Sequence, residues 1–176
     1  MGERLSIQDI YVSPSFSRID ATLRPLCRVF AIAGGIILTG LTLVTVISVL
    51  GRALFNAPIP GDFELMELGC AIAVSFFLPY CQIQEGNVIV DLFTAKASPG
   101  VIRFLSALGD LAFLVITTLI CWRLIHGCID YMEYDEVTMV LKIPIWWAMP
   151  PIIASFALLT LACASTLLAH IFGGRK

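Results

Sequence analysis

Glu64 and Glu67, three residues apart at the head of an apolar run, are the residues here whose types and spacing point most directly to chemistry. Three apart, they share one helical face. An acid that enters a membrane normally faces protein, a cavity or a cation. Three uses therefore stand open: an ion pair between neighbouring spans, a contact with another subunit, or a proton or ion pathway. Arg52, close to the end of the preceding apolar run, is the candidate ion-pair partner, and an Arg52–Glu64 clamp is the expected arrangement. Asp62 is placed to cap the helix that carries both glutamates, whose positive end favours negative charge.

Further along, Asp110 lies inside an apolar run, with Arg103 seven residues before it on a similar face as its expected partner. His126 and Asp130, four apart, are expected to pair. Other chemistries lack their residues. No P-loop, zinc-ligand pair, GxSxG or nucleophile–base spacing is present, so the chain is not read as an enzyme. The six cysteines form no CxxC or ligand spacing, so no metal is predicted. His126 and His170 fall near opposite ends of their runs, too far apart to hold a haem between them. No cofactor is expected, and nucleic acid is not an expected partner.

The elements that must position these residues are hydrophobic. Of 176 residues 59% are hydrophobic and 14% charged, and the apolar ones cluster in runs long enough to cross a bilayer. The runs are roughly Val29–Leu50, Glu64–Cys81, Ile102–Ile125 and Ile143–Phe172. Their lack of a polar face excludes a soluble helical protein of this length. The predicted fold is all-α and integral to the membrane: one four-helix domain over residues 1–176, with a polar N-terminal segment, 1–28, and short interfacial segments. The first run is longer than a signal-peptide core and lacks a small-x-small cleavage site, so it is expected to remain as an anchor.

Orientation follows Lys and Arg. Arg4, Arg18, Arg24 and Arg28 precede the first span, Lys96 and Arg103 lie in the second connection, and Arg175-Lys176 ends the chain. Arg52 alone marks the first connection, and Arg123 and Lys142 are counted with the third. Both termini are therefore predicted to be cytoplasmic. The outward third connection holds Asp130, Glu133, Asp135 and Glu136 and is expected to be a solvated acidic loop.

Several local features add detail. Ala31 and Gly35, four apart, allow close helix approach, either within the bundle or to a partner. Phe55–Gly61 is too proline-rich to continue a helix. Phe16, Ile19 and Leu23 are placed to lie along a membrane surface, as are Val88, Val90 and Leu92. Trp146-Trp147 after Pro144 reads as an interfacial belt. Pro150-Pro151 is expected to distort the start of the fourth span. With no broken half-spans to build a solute site, the residues suggest a helper or scaffold subunit of a larger membrane assembly.

The order of four short motifs resembles the small membrane subunit, DctQ-like, of the tripartite ATP-independent periplasmic (TRAP) transporters. Arg52-Ala53-Leu54-Phe55-Asn56 is similar to that family's Arg-x-x-Phe-Asn, and Glu64 to the acid of its Trp-x-x-Glu. Gly86-Asn87-Val88-Ile89-Val90-Asp91 resembles Gly-His-Ile-x-Val-Asp, and Leu141-Lys142-Ile143-Pro144-Ile145-Trp146, with Pro151, resembles Leu-x-Ile-Pro-x-Trp. Gly61 stands where the family has Trp, Asn87 where it has His, and Pro79 has no counterpart. The resemblance covers residues 29–172. It implies a subunit of a sodium-coupled importer of organic acids in a bacterial inner membrane. The implied partners are a large membrane subunit, which holds the sodium and substrate sites, a periplasmic solute-binding protein, and membrane lipid. The small subunit is implied to pack against and steady the large one, with Glu67 meeting it or a water-filled crevice. Asp62, Asp130, Glu133, Asp135 and Glu136 are candidates for docking the binding protein. The competing reading is a self-sufficient, proton-coupled multidrug-type transporter that uses Glu67.

Overall fold

The computed structural model describes residues 16–84 and 99–172, and side chains over 23–84 and 108–168. The chain forms four long helices, α1 (Phe16–Phe55), α2 (Asp62–Ile83), α3 (Pro99–Glu133) and α4 (Met149–Phe172), with a 3-10 turn, Ile145–Ala148, before α4. Each holds a stretch long and apolar enough to span a membrane: Leu23–Phe55, Asp62–Ile83, Leu108–Glu133, and Ile145–Leu168 with the 3-10 turn included. The fold is the all-α, four-span membrane fold that the apolar runs predict. No strand occurs among the described residues; Val137 and Pro144 make one isolated bridge.

Two boundaries differ from expectation. α1 begins far before Val29 and runs through Pro25. A proline removes only its own N–H bond to the residue four before it, a single defect in a helix of 40 residues. α3 continues beyond Ile125 to Glu133, so Asp130 and Glu133 ride on its last turns and not in a loop. Cys128, Ile129, Tyr131 and Met132 extend its apolar surface, and no Gly or Pro stops it after Gly127. Pro150 and Pro151 sit in the first turn of α4, where an N–H has no partner within the helix.

α2 and α4 occupy the middle. α1 packs against α2 and lightly against α4, while α3 meets only α4 and the 3-10 turn among the described elements. The hydrophobic windows show the same layout: 39% of residues are buried in that of α4 but 6% in that of α3. Glycine sets the α1–α2 approach. A Cβ on Gly34 would lie 3.0 Å from the Ala73 carbonyl oxygen, and one on Gly69 would lie 2.7 Å from Leu41. Gly35, read as a packing position either within the bundle or toward a partner, faces open space in this chain. Gly34 therefore makes the intrachain contact, and Gly35 does not. Cys27, Ile83, Leu158 and Ala162 form a core where α1, α2 and α4 converge, bordered by Leu23, Phe30 and Tyr80.

Most hydroxyls in the spans bond back to their own helix, as Thr39 to Gly35, Thr42 to Leu38 and Thr160 to Phe156. That satisfies them where water is excluded. Others reach across to a neighbouring helix, as Thr45 of α1 does to the Met66 sulfur of α2 at 3.1 Å. Ser155 of α4 donates to the Ser75 carbonyl of α2 at 2.6 Å, and Gln82 of α2 donates to Thr166 of α4 at 3.3 Å. The Ser155 bond has a cause in the sequence. Pro79 has no N–H, so the carbonyl four residues earlier, that of Ser75, loses its helical partner. Ser155 fills the vacancy in a fully buried position.

Candidate functional site

The links between α1 and α2 and between α3 and α4 lie at one end of the bundle, where most of the singled-out residues gather. α1 stops because Asn56 adopts φ 51°, a left-handed conformation that Asn tolerates better than most side chains. The Ala57 N–H then turns back to the Gly51 carbonyl at 3.1 Å. A side chain on Gly51 would strike the Ala57 carbonyl oxygen at 2.7 Å, so the link folds tightly over the helix end.

Ser48 is the centre of this turn and is fully buried. Its hydroxyl donates to Asp62 Oδ2 at 2.6 Å and accepts the Ile59 N–H at 3.2 Å, joining α1, the link and α2 through one oxygen. Arg52 reaches the same Asp62 oxygen at 3.8 Å. The expected Arg52–Glu64 clamp is therefore replaced by an Arg52–Asp62 pair. Successive helical residues turn by about 100°, so Asp62 and Glu64 diverge by more than half a circle. Asp62 faces α1 and Glu64 faces the α3–α4 connection. The cap also differs. Gly61, at φ 78°, holds the N-cap position without a side-chain bond, and Asp62 is the first helical residue. With its side chain 14% exposed, Asp62 is a tie within the chain and not the open docking acid expected from its position.

Glu64 grips backbone. Its two oxygens accept the N–H groups of Val140 and Leu141 at 2.7 and 2.9 Å. The gripped segment is a tight hairpin. Thr138 N–H donates to the Ile143 carbonyl at 2.9 Å, Ile143 N–H to the Thr138 hydroxyl at 3.1 Å, and Ile145 N–H to the Glu136 carbonyl at 3.0 Å. Asp135 and Lys142 take positive φ at its bends. Leu141 lies over Gly61 so closely that any Cβ there would collide with it. The departure from Trp at position 61 thus has a local reason: this site needs both a positive φ and no side chain.

The remaining candidates separate by exposure. Glu67 is exposed on the outer side of α2 with Phe63 and Val74. Asp130, Glu133, Asp135 and Glu136 are exposed, and so are Phe55, at the tip of α1, and Trp147. Pro144 starts the 3-10 turn, and Trp146 is half-buried with its ring edge-on to that of Trp147. His126 stacks edge-on against Trp122, centroids 4.8 Å apart, and makes no ion pair with Asp130 among the described residues. Asp110 is half-buried on α3, near enough to Cys163 of α4 for its charge to be felt there. The side chain of Arg103, and Gly86–Asp91 entire, lie outside the described residues. Ser48 and Ser155 tie elements together at positions that no sequence motif marks. For Ser155 a signal exists: a proline in a helix marks the carbonyl four residues earlier as an acceptor in need of a donor.

A search of curated proteins and one of solved structures each returned no match. The family model described as tripartite ATP-independent periplasmic transporters, DctQ component, matches residues 41–173. That match runs from the middle of α1 through α4 and takes in all four motifs, so the chain belongs to the DctQ component family of the tripartite ATP-independent periplasmic transporters.

Proposed function

We propose that this TRAP small component is the scaffold subunit of a sodium-coupled, binding-protein-dependent importer of organic acids. It packs against the large membrane subunit and steadies it, with both termini cytoplasmic and the loop end periplasmic. The observation that carries this reading is where the cross-element polar groups go. Ser48, Asp62, Glu64, Ser155 and Gln82 each join one part of this chain to another. Such ties make a rigid body, which suits a support for a moving neighbour. Glu67, exposed beside Phe63, is the acid placed to meet the large subunit or a water-filled crevice. The exposed acids Asp130, Glu133, Asp135 and Glu136 form the surface that docks the solute-binding protein.

The test is reconstitution in liposomes under an inward sodium gradient. Uptake of an organic acid should require this chain, the large membrane subunit and the binding protein together. Solute movement by this chain alone would defeat the reading in favour of a self-sufficient transporter working through Glu67. Docking that persists at low salt after all four loop-end acids are neutralised would remove their role.

A further inference from the structure

The hairpin between α3 and α4 has an acidic base and an apolar tip. Thr138 and Ile143 close it over Met139-Val140-Leu141-Lys142, a turn without the Gly, Asn, Asp or Ser that turns in water favour. Met139 is 88% exposed and Val140 58%. Glu133, Asp135 and Glu136, also exposed, come before the turn.

Two contacts fix where the tip lies. Leu141 rests on Gly61, and Glu64 accepts the N–H groups of Val140 and Leu141. Gly61 and Glu64 flank Asp62, the residue at which the apolar span of α2 begins. The tip therefore lies against the head of a membrane span and does not stand away from it.

The Glu64 bonds also bear on what the tip meets. Exposed N–H groups of a turn in water are served by water. Here a carboxylate 76 and 77 residues back in the chain serves both. Hydrocarbon offers an N–H no acceptor, so a tip that enters it must bring its own. A protein covering the tip could supply carbonyls instead. Lys142, exposed in the same turn, carries an ammonium on a stem long enough to reach outward to a lipid phosphate. Trp147, exposed on the following 3-10 turn, is of the type that gathers at membrane boundaries.

We propose that the Met139–Val140 tip is an interfacial anchor, immersed at the acyl-chain boundary of a phospholipid bilayer. Glu64 is the internal acceptor that lets its backbone lie there, and Lys142 reaches the phosphates. Glu133, Asp135 and Glu136 stay on the water side. The inference needs only the membrane spans and is independent of the scaffold reading.

A diazirine-bearing amino acid in place of Met139, in the full chain in bacterial inner membranes, tests this. Irradiation should give a phospholipid adduct, read from the mass of the intact protein. The same amino acid in place of Glu136 should react chiefly with water. Glu64→Gln exchanges one acceptor oxygen for an NH2 group and should lower the lipid adduct at 139 several-fold. Water product alone at 139 would overturn the proposal in favour of a solvated loop, and an adduct with protein alone would overturn it in favour of a docking surface. Equal lipid adducts at 139 and 136 would overturn the division between tip and base. An undiminished lipid adduct in Glu64→Gln would overturn the part given to Glu64.

Discussion

At the loop-end rim the side chains that join elements include two carboxylates, Asp62 and Glu64; inside the bundle the tie is made by Ser155, and at the far end of α2 by Gln82, both neutral. Both regions answer the same need. Where a helix ends, or where Pro79 interrupts it, backbone groups lose their partners, and a side chain from elsewhere in the chain supplies one. Glu64 accepts from two N–H groups of a hairpin, while Ser155 donates to one orphaned carbonyl. The difference is depth. Near water a carboxylate keeps part of its hydration and costs little to place. At mid-bundle an ion would need full compensation, so a hydroxyl of modest strength is the better match. Of these ties, the ionic ones lie at the rim.

The rim depends most on Ser48, whose oxygen serves a carboxylate and a backbone N–H at once. Ser48→Ala should cost about 2–3 kcal/mol in thermal or denaturant unfolding of the detergent-solubilised chain. A loss below that of an average surface change would show that the rim is held by something else. Ser155→Ala should cost about 1–2 kcal/mol by stranding the Ser75 carbonyl. Pro79→Ala, which returns an N–H to that carbonyl, should make the Ser155 change nearly silent. A double-mutant cycle without coupling would break the link drawn between Pro79 and Ser155.

Next in size is the glycine contrast on α1 and α2. Gly69→Val should separate the helices at Leu41 and cost about 1–3 kcal/mol. Gly35→Val, facing open space, should leave the isolated chain unchanged. If it nevertheless weakens recovery of the large subunit, α1 also contributes to the assembly. The smallest effect is expected at Arg52. It is 54% exposed and 3.8 Å from its acid, so Arg52→Gln should cost no more than about 0.5 kcal/mol. Glu64→Gln sharpens the rim by another readout: hydrogen exchange at the Val140 and Leu141 amides should quicken, while Ser155→Ala leaves those amides as they were.

Much of the molecule is legible in the residues themselves. Four apolar stretches of membrane length require helices, because lipid offers no partner to an unsatisfied backbone. Asn56, Gly61 and the prolines between them announce a turn, and the position of Glu64 at the head of a span marks it as a residue facing another element. Its partner is not legible. A carboxylate's charge suggests a cation, and only the folded chain shows two N–H groups of a distant hairpin in that place. Gly34, and not its neighbour Gly35, meets α2 because the rotation of α1 about its own axis is set by the whole α1–α2 contact.

What the sequence alone determined is the solvent this protein lives in, the number of its helices and the family to which it belongs. These follow from local hydrophobicity and from motifs read in chain order. The tertiary structure alone decided which ions meet and at what depth. Asp62 took the arginine, Glu64 took the hairpin, and Arg123 came to lie exposed on α3, ten residues before its end. The physical reason is that a side chain's partner depends on helix rotation and register, which are fixed by packing summed over many residues and by no short motif.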